Sequence, residues 1–228
     1  MTTEAEHRPV ILWFRHDLRL ADNPALIHAI ATGRPVLPVF ILDPGHEMGA
    51  ASLWWLDKSL RALDASLRAL GSRLILRRGD GEAELRRLIN ESGAGAVFMN
   101  RRFEPDAFAR DADIAHALEA EGVTCKGWNG TLLARPGSVL NGSGLPYKVF
   151  TPFHRALLAT AVAPARIAAP DRLTPPPGAG LRRHRHLGAA SEPARLVRWL
   201  RLDPRRSGGR GGSGGLPVTR AEILQRRP

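Results

Sequence analysis

Residues 13–24 are Trp13-Phe14-Arg15-His16-Asp17-Leu18-Arg19-Leu20-Ala21-Asp22-Asn23-Pro24. This stretch overlaps the end of an apolar run, residues 10–14, which predicts a short buried strand. It ends in Asp22-Asn23-Pro24, a sequence typical of a helix N-cap followed by proline at the first helical position. Two arginines and two aspartates are therefore predicted in a loop at the carboxyl end of the first strand. In an open parallel sheet, ligands bind at that edge.

Strands and helices are predicted to alternate along residues 9–130. The predicted strands cover residues 10–14, 35–42, 74–76, 96–99 and 123–128, and the predicted helices cover residues 24–31, 53–70, 82–90 and 105–121. Repeated strand–helix units predict an α/β fold, a Rossmann-like, doubly wound sheet of five parallel strands with helices on both faces. The strands at residues 10–14 and 35–42 are almost wholly apolar, as central parallel strands are.

The longest predicted helix carries a stripe of leucines at alternating spacings of three and four, which predicts one core-facing side. The stripe consists of Leu53, Leu56, Leu60, Leu63, Leu67 and Leu70. A coiled coil is disfavoured because the stripe covers few heptads and lies between two strands. For the adjacent Trp54 and Trp55, a packing role at the helix boundary is favoured over a role as an excitation relay.

Length and composition limit the class of protein. The chain has 228 residues, of which 43% are hydrophobic, enough for one sizeable α/β domain or one domain and a fragment. No apolar run is long enough for a membrane span, and no secretory signal pattern is visible, so no membrane partner is expected. The lone Cys125 excludes an internal disulfide framework and favours the cytoplasm. It falls in a predicted buried strand, which favours an inert core residue.

Positive charge is concentrated at the end of the chain. The formal net charge is +11, and residues 175–228 contain twelve arginines, three acidic residues and no lysine. These residues are predicted to be a largely disordered Arg/Gly-rich tail with a short helix near residues 193–202. Out-of-frame or truncated coding sequence is favoured for the tail, and a native linker is the alternative. His184 and His186 are interpreted as part of this charged tail and not as metal ligands.

The remaining segments complete the predicted domain organisation. Residues 1–8 are predicted to be a disordered N-terminus that precedes the α/β domain at residues 9–130. Residues 131–174 are predicted to be a loop-rich exit segment and linker, within which a helix begins near Thr151.

Several motifs closely resemble the N-terminal α/β domain of the photolyase/cryptochrome family. The pattern F-R-x-D-L-R-x-x-D-N at residues 14–23 resembles the opening signature of that family. Further similar segments follow in family order over about residues 9–160, at residues 40–44, 56–71, 78–80, 100–105, 109–111 and 147–153. The chain is identified as a member of this family on these segments.

The resemblance implies a function for the domain. In this family the α/β domain holds an antenna chromophore, which is a folate, a deazaflavin or a second flavin. The antenna passes energy to a catalytic FAD in a helical domain that binds damaged DNA and flips out the pyrimidine dimer. No counterpart of the family's G-T-S-x-L-S-P flavin-phosphate segment is found in the sequence. The chain alone is therefore expected neither to bind FAD nor to repair cyclobutane pyrimidine dimers.

The candidate chromophore-binding residues are Phe14, Arg15, Asp17, Asp43, Asn100, Arg101 and Asp106. A planar, partly anionic chromophore needs an aromatic wall and a bidentate donor, which Phe14 and Arg15 offer. The alternative for the first loop is a structural turn in which an arginine–aspartate pair fixes the chain and both Asp22 and Asn23 cap the helix. We favour capping for those two residues.

Other candidates at this edge have structural alternatives as well. Asp43 and Asn100 end two predicted strands, where strand-terminal capping is slightly favoured over contact with a ligand. Arg101 and Arg102 suit a phosphate or carboxylate, although most loop arginines are simply solvated.

One departure from the family pattern bears on the antenna. Folate-binding members have an Asn-Glu pair shortly after the position that matches Glu104, and this chain has Asp106 and Ala107 there. Folate is therefore disfavoured, and deazaflavin, flavin or no antenna remain open. Two other functions also remain open: a stand-alone small-ligand or light-sensing module, and weak nonspecific nucleic-acid binding through residues 175–228.

Overall fold

The computed structural model describes residues 7–43, 48–160 and 165–176. Five strands alternate with four helices, and a fifth helix follows. In chain order the elements are β1 (Val10–Phe14), α1 (Pro24–Ala31), β2 (Val36–Leu42), α2 (Ala50–Ala69), β3 (Ile75–Arg78), α3 (Gly81–Ser92), β4 (Ala96–Asn100), α4 (Pro105–Ala120), β5 (Thr124–Trp128) and α5 (Phe150–Thr160). None of the helices in the described ranges is long and apolar enough to cross a membrane.

The five strands form one parallel sheet in the order β3-β2-β1-β4-β5. This confirms the predicted α/β class. β1 lies between β2 and β4, and β2 lies between β1 and β3, so both predicted central strands are interior. Every residue of these two strands is buried. Their continuous apolar runs follow from this position, because helices cover both faces of the sheet.

Alternate side chains of β1 enter different cores on the two faces of the sheet. On one face, Ile11 and Trp13 pack in a cluster with apolar residues of α3 and α4. On the other face, Val10, Leu12 and Phe14 pack in a cluster with apolar residues of α1 and α2. The sheet is thus covered by two helices on each side, which is the doubly wound arrangement that the sequence predicted.

The leucine stripe of α2 faces the core, as predicted. Leu56, Leu60, Leu63 and Leu67 are buried. The packing role predicted for the two tryptophans is wrong, because Trp54 and Trp55 are 60% and 67% exposed. They project from the part of the helix surface that the stripe does not occupy, and the ammonium group of Lys58 lies 5.6 Å from the Trp54 ring centroid.

Strand β5 lies at the sheet edge and is only partly buried, so the prediction of a buried strand around Cys125 is wrong. An edge strand has one neighbouring strand and correspondingly more contact with solvent. Cys125 itself is half-buried, and desolvation together with nearby Glu119 raises the pKa of its thiol to about 12. A thiol that stays protonated at neutral pH is a poor nucleophile, which agrees with the inert role expected for it.

The segment of residues 165–174, here called the return strap, leads back onto the α/β domain after α5. The Leu173 backbone N–H donates to the Leu70 carbonyl at 3.0 Å, and the Val36 N–H donates to the Thr174 carbonyl at 2.9 Å. The Leu173 side chain is 1% exposed within the core beside α1 and α2. The tail's predicted disorder, its short helix, and His184 and His186 lie outside the described residues.

Candidate functional site

The candidate site lies where β1 and β4 end side by side. The chain leaves β1 toward β2 on one side and leaves β4 toward β5 on the other, so the order of the strands reverses between them. Such a reversal leaves a crevice at the carboxyl edge of a parallel sheet, where ligands bind in α/β proteins. Arg15 and Asp17 follow β1, and Asn100 is the last residue of β4.

Asn100 is the centre of a buried polar network at this edge. Its Nδ2 donates to Asp17 Oδ2 at 2.6 Å and to Asn23 Oδ1 at 2.8 Å. Its Oδ1 accepts from the Ala25 backbone N–H at 3.2 Å. Gly130 covers the amide so closely that a Cβ at that position would lie 2.5 Å from Asn100 Cγ. The network therefore joins the ends of β1 and β4 to the start of α1.

The structure corrects one predicted helix cap. Asn23 caps α1 as expected, because its side chain accepts from the Leu26 N–H at 3.1 Å. Asp22 is not a cap: its φ of 48° is in the left-handed region, and its carboxylate accepts from the Ile167 N–H at 2.8 Å. The Asp22 N–H donates in return to the Ile167 carbonyl at 2.9 Å. Asp22 holds the return strap against the first loop, and Ile167 is too distant in sequence for this contact to be predicted.

A second, more charged cluster lies beside the network. The Arg15 guanidinium donates to the Asp111 carboxylate and to the Asn100 carbonyl, and Arg102 Nη2 lies 2.7 Å from Asp111 Oδ1. The Arg15 guanidinium also lies over the Trp13 ring, 4.7 Å from its centroid. Burial lowers the pKa of Arg15 while the Asp111 carboxylate opposes that shift, so the group remains a cation at any physiological pH.

Three buried N–H donors in this cluster have no hydrogen-bond partner among the described residues. They are Trp13 Nε1, Arg15 Nε and Arg102 Nε. Buried donors are nearly always paired, with protein, with water or with a ligand. Two of these donors belong to the guanidinium groups that pair with Asp111, and the third belongs to the indole over which Arg15 lies.

Arg110 ties the ends of two further strands to α4. Its guanidinium donates to the Asp43 carboxylate after β2 and to Asp80 Oδ2 after β3, the latter at 2.8 Å. Although burial favours the neutral form, these two carboxylates raise the pKa of Arg110. Gly81 lies close to the Trp13 ring, since a Cβ there would be 3.3 Å from it, whereas the same Cβ would be at an ordinary contact distance of 3.5 Å from Arg110 Nη2.

Comparison with known proteins identifies the family. The sequence model described as DNA photolyase matches residues 10–173. The chain belongs to the DNA photolyase family. This confirms the predicted family membership. Members of this family bind flavin and antenna chromophores and act on damaged DNA.

Individual relatives of this photolyase-family chain include photolyases and cryptochromes. It is 45% identical over 169 residues to a deoxyribodipyrimidine photo-lyase of Agrobacterium fabrum, covering 74% of this chain and 35% of the relative. It is 39% identical to cryptochrome-1 of Arabidopsis thaliana over 63% of this chain and 22% of the relative. The chain thus spans about a third of the length of that photolyase and less of the cryptochrome.

Solved photolyase structures share the fold. A class III photolyase from Agrobacterium tumefaciens superposes with a TM-score of 0.73 at 43% identity, covering 77% of this chain and 37% of that one. An archaeal photolyase from Sulfolobus tokodaii, described as having two FAD molecules with the implication of a novel light-harvesting cofactor, has a TM-score of 0.62 at 27% identity. That match covers 73% of this chain and 37% of the Sulfolobus tokodaii chain.

The candidate residues of the photolyase-family domain lie in different places. Arg15, Asp17 and Asn100 lie together, and Asp43 joins the same edge through Arg110. Phe14 is 1% exposed and packs in the core beneath this edge. Arg101 is exposed, and its backbone N–H donates to the Trp128 carbonyl at 2.7 Å. Asp106 is exposed in the first turn of α4.

Sequence reasoning had not placed Arg110 and Asp111 in the candidate site. Both lie on α4, and each pairs with a residue at the end of a strand. In the sequence, the only indication that these two residues matter was that residues 109–111 resemble a segment of the photolyase family. The contact partners are separated from them by 67 and 96 residues, which no local pattern encodes.

Proposed function

We propose that this α/β domain is the accessory-chromophore domain of a deoxyribodipyrimidine photolyase. The observation that carries the proposal is the set of three unpaired, buried N–H donors at the carboxyl edge of the sheet, Trp13 Nε1, Arg15 Nε and Arg102 Nε. A chromophore with carbonyl or anionic oxygens would supply the acceptors that these donors lack once the side chains that cover them move aside. The location between β1 and β4 is where α/β folds bind ligands.

The chemistry of these residues suits a planar ring system with oxygen acceptors. Trp13 offers an indole N–H beside an aromatic face, and the guanidinium groups of Arg15 and Arg102 are planar donors. Asp106 and Ala107 replace the Asn-Glu pair of folate-binding members, so we propose a flavin or deazaflavin. When bound, such a group absorbs near-ultraviolet or blue light. The residues of this chain bind and orient it and exclude water from its polar edge.

We further propose that residues 1–228 alone do not repair DNA. Light-driven cleavage of a pyrimidine dimer in this family needs the catalytic FAD, and the flavin-phosphate segment G-T-S-x-L-S-P is not found in this sequence. The chain also spans only 35% of the Agrobacterium fabrum relative. The domain therefore contributes light capture, and the photolyase activity belongs to a protein that also holds the FAD.

The chromophore proposal is tested by titrating the purified chain with FMN, FAD, a deazaflavin and a reduced folate, following visible absorbance and fluorescence anisotropy. Trp13→Phe removes the indole N–H together with the five-membered ring of a side chain that is only 5% exposed, so it should also lower stability by about 1–3 kcal/mol, and binding is compared at a temperature where both proteins are folded. We expect it to weaken flavin or deazaflavin binding about tenfold, the loss of one buried hydrogen bond. Arg102→Gln should act in the same direction.

Arg87→Gln is the matched control, because Arg87 is exposed on α3 and pairs with Glu84. It should bind like the parent chain. Equal affinities for the parent and both site variants, or no binding of any of the four compounds, would contradict the proposed chromophore site. Dimer repair above background by the purified chain under blue light would contradict the proposal that it is inactive alone.

The basic tail supports a second, weaker activity. Residues 175–228 carry twelve arginines against three acidic residues, so we expect full-length protein to bind duplex DNA weakly and without sequence preference. The affinity should fall steeply between about 50 and 200 mM salt, because bound arginines release counterions. Residues 1–174, tested in parallel, should not bind. Equal binding by both chains would move the DNA contact into the folded domain.

A further inference from the structure

The edge of the sheet opposite the candidate site carries two arginines that converge on one glycine. Arg8 precedes β1, Arg34 precedes β2, and Gly95 precedes β4. A Cβ on Gly95 would lie 2.8 Å from Arg34 Nη2 and 3.2 Å from Arg8 Nε. A side chain at this position would displace at least the Arg34 guanidinium from its present place, and the three residues line one cleft of about 700 Å³.

Backbone carbonyls hold both side chains in place. Arg8 Nε donates to the Gly93 carbonyl and Arg8 Nη2 to the Ala94 carbonyl, each at 2.9 Å. Arg34 Nε donates to the Arg8 carbonyl, and Arg34 Nη2 lies 3.3 Å from the Pro9 carbonyl. A guanidinium has five N–H donors, so each of the two retains donors beyond those that the carbonyls occupy.

Among the described residues, no carboxylate balances the charge of this pair. In the described part of the chain, neither Arg8 nor Arg34 takes part in an ion pair, whereas most arginines at the opposite edge do. Burial lowers the pKa of Arg34, and the neighbouring Arg8 cation lowers it further. Like charges fixed side by side are costly unless an anion joins them.

We propose that Arg8 and Arg34 form an oxyanion-binding site, selective for phosphate groups, at the amino edge of the sheet. This site lies at the other end of the strands from the proposed chromophore site and does not depend on it. Two guanidinium groups that approach the same small space beside Gly95 can bind a tetrahedral oxyanion through the charge-assisted hydrogen bonds of their remaining donors. The cleft is open to solvent, so we expect the group to be a free phosphate or phosphomonoester, and binding of a nucleic-acid phosphodiester is the outcome that the test must separate from it.

The test measures the unfolding temperature of the full chain against increasing inorganic phosphate, with ionic strength kept constant by chloride. Every variant carries Glu4→Gln and Glu6→Gln, so that these two carboxylates near Arg8 in sequence cannot fill the site. A ligand that binds only the folded state raises the unfolding temperature with its concentration. We expect phosphate to do so and Arg34→Gln or Arg8→Gln to weaken its apparent affinity about tenfold each.

Two further variants separate charge from geometry. Gly95→Ala keeps both charges but places a methyl group against both arginines, and we expect it to weaken phosphate binding as well. Lys148→Gln removes an exposed charge elsewhere and should behave as the parent does. Residues 175–228 are present in every variant, so their own anion binding cancels in the comparison.

A short oligonucleotide without terminal phosphates identifies the source of the anion. If it also raises the unfolding temperature through Arg8 and Arg34, the site takes phosphodiesters, and if only inorganic phosphate does, the site takes free phosphate or monoesters. The proposal is overturned if neither probe raises the unfolding temperature. It is equally overturned if the effect is unchanged in all of the Arg8, Arg34 and Gly95 variants.

Discussion

A chain that ends at Thr160 will unfold at a much lower urea concentration than one that ends at Pro176. The shorter chain loses the Leu173 side chain, which is 1% exposed in the core. Removing a buried leucine side chain alone costs about 2–5 kcal/mol. It also loses the partners of the Val36 N–H and of the Leu70 carbonyl. Unpaired backbone groups left in a partly buried position add to the loss.

Urea unfolding followed by circular dichroism checks this expectation. Leu173→Ala in the longer chain should fall between the two truncations, since it keeps the backbone bonds of the return strap. Full-length protein should match the chain that ends at Pro176. Indistinguishable unfolding midpoints for the chains ending at Thr160 and Pro176 would show that the return strap contributes nothing to the fold.

Replacing Asn100 by leucine will destabilise the domain by about 3 kcal/mol or more, because it leaves buried polar groups without partners. Asp17, 4% exposed, would lose the Nδ2 donor now 2.6 Å from its carboxylate. The Ala25 N–H would lose its acceptor. Thermal or urea unfolding measures the change, with Asn90→Leu on the exposed face of α3 as the control. That control should stay within about 0.5 kcal/mol of the parent.

Asn100→Asp adds a pH dependence with a defined sign. It keeps an acceptor for the Ala25 N–H but brings a second carboxylate against Asp17. One of the two carboxyls must then hold a proton in the folded state, so its folded pKa is raised above the unfolded value of about 3.9. Stability relative to the parent is therefore greatest at acid pH and is lost as the pH rises. A difference from the parent that is the same at pH 5 and pH 8 would contradict this arrangement.

The strands could be predicted because their signal is local. Continuous apolar runs such as residues 36–42 mark strands that are buried on both faces, and the proline after Asn23 marks the start of α1. Parallel order followed from the repeated strand–helix units. The edge position of β5 could not be predicted, because the sequence of a short strand does not show whether one or two other strands pair with it.

The position of the candidate site could be predicted from the sequence, but the residues that pair with its side chains could not. The carboxyl ends of β1 and β4 gave Arg15, Asp17 and Asn100, which do lie together. The ion pair of Arg15 with Asp111 spans 96 residues, and the contact of Asp22 with Ile167 spans 145. Such pairs depend on where the helices and the return strap lie after folding. Trp54 and Trp55 are different, because a helical wheel drawn on the leucine stripe places them outside it.

The return strap also fixes a distance. It ends beside Val36, at the amino edge of the sheet, because the Thr174 carbonyl accepts from that residue's N–H. Strand β2 runs from there to the opposite edge, and its seven residues span about 23 Å at 3.3 Å per residue. A fluorescent dye attached to the thiol of a Pro176→Cys variant in which Cys125 is replaced by serine would thus lie roughly one strand length from a chromophore bound above Asn100. Quenching of the dye would then show whether a chromophore occupies the carboxyl edge of the sheet.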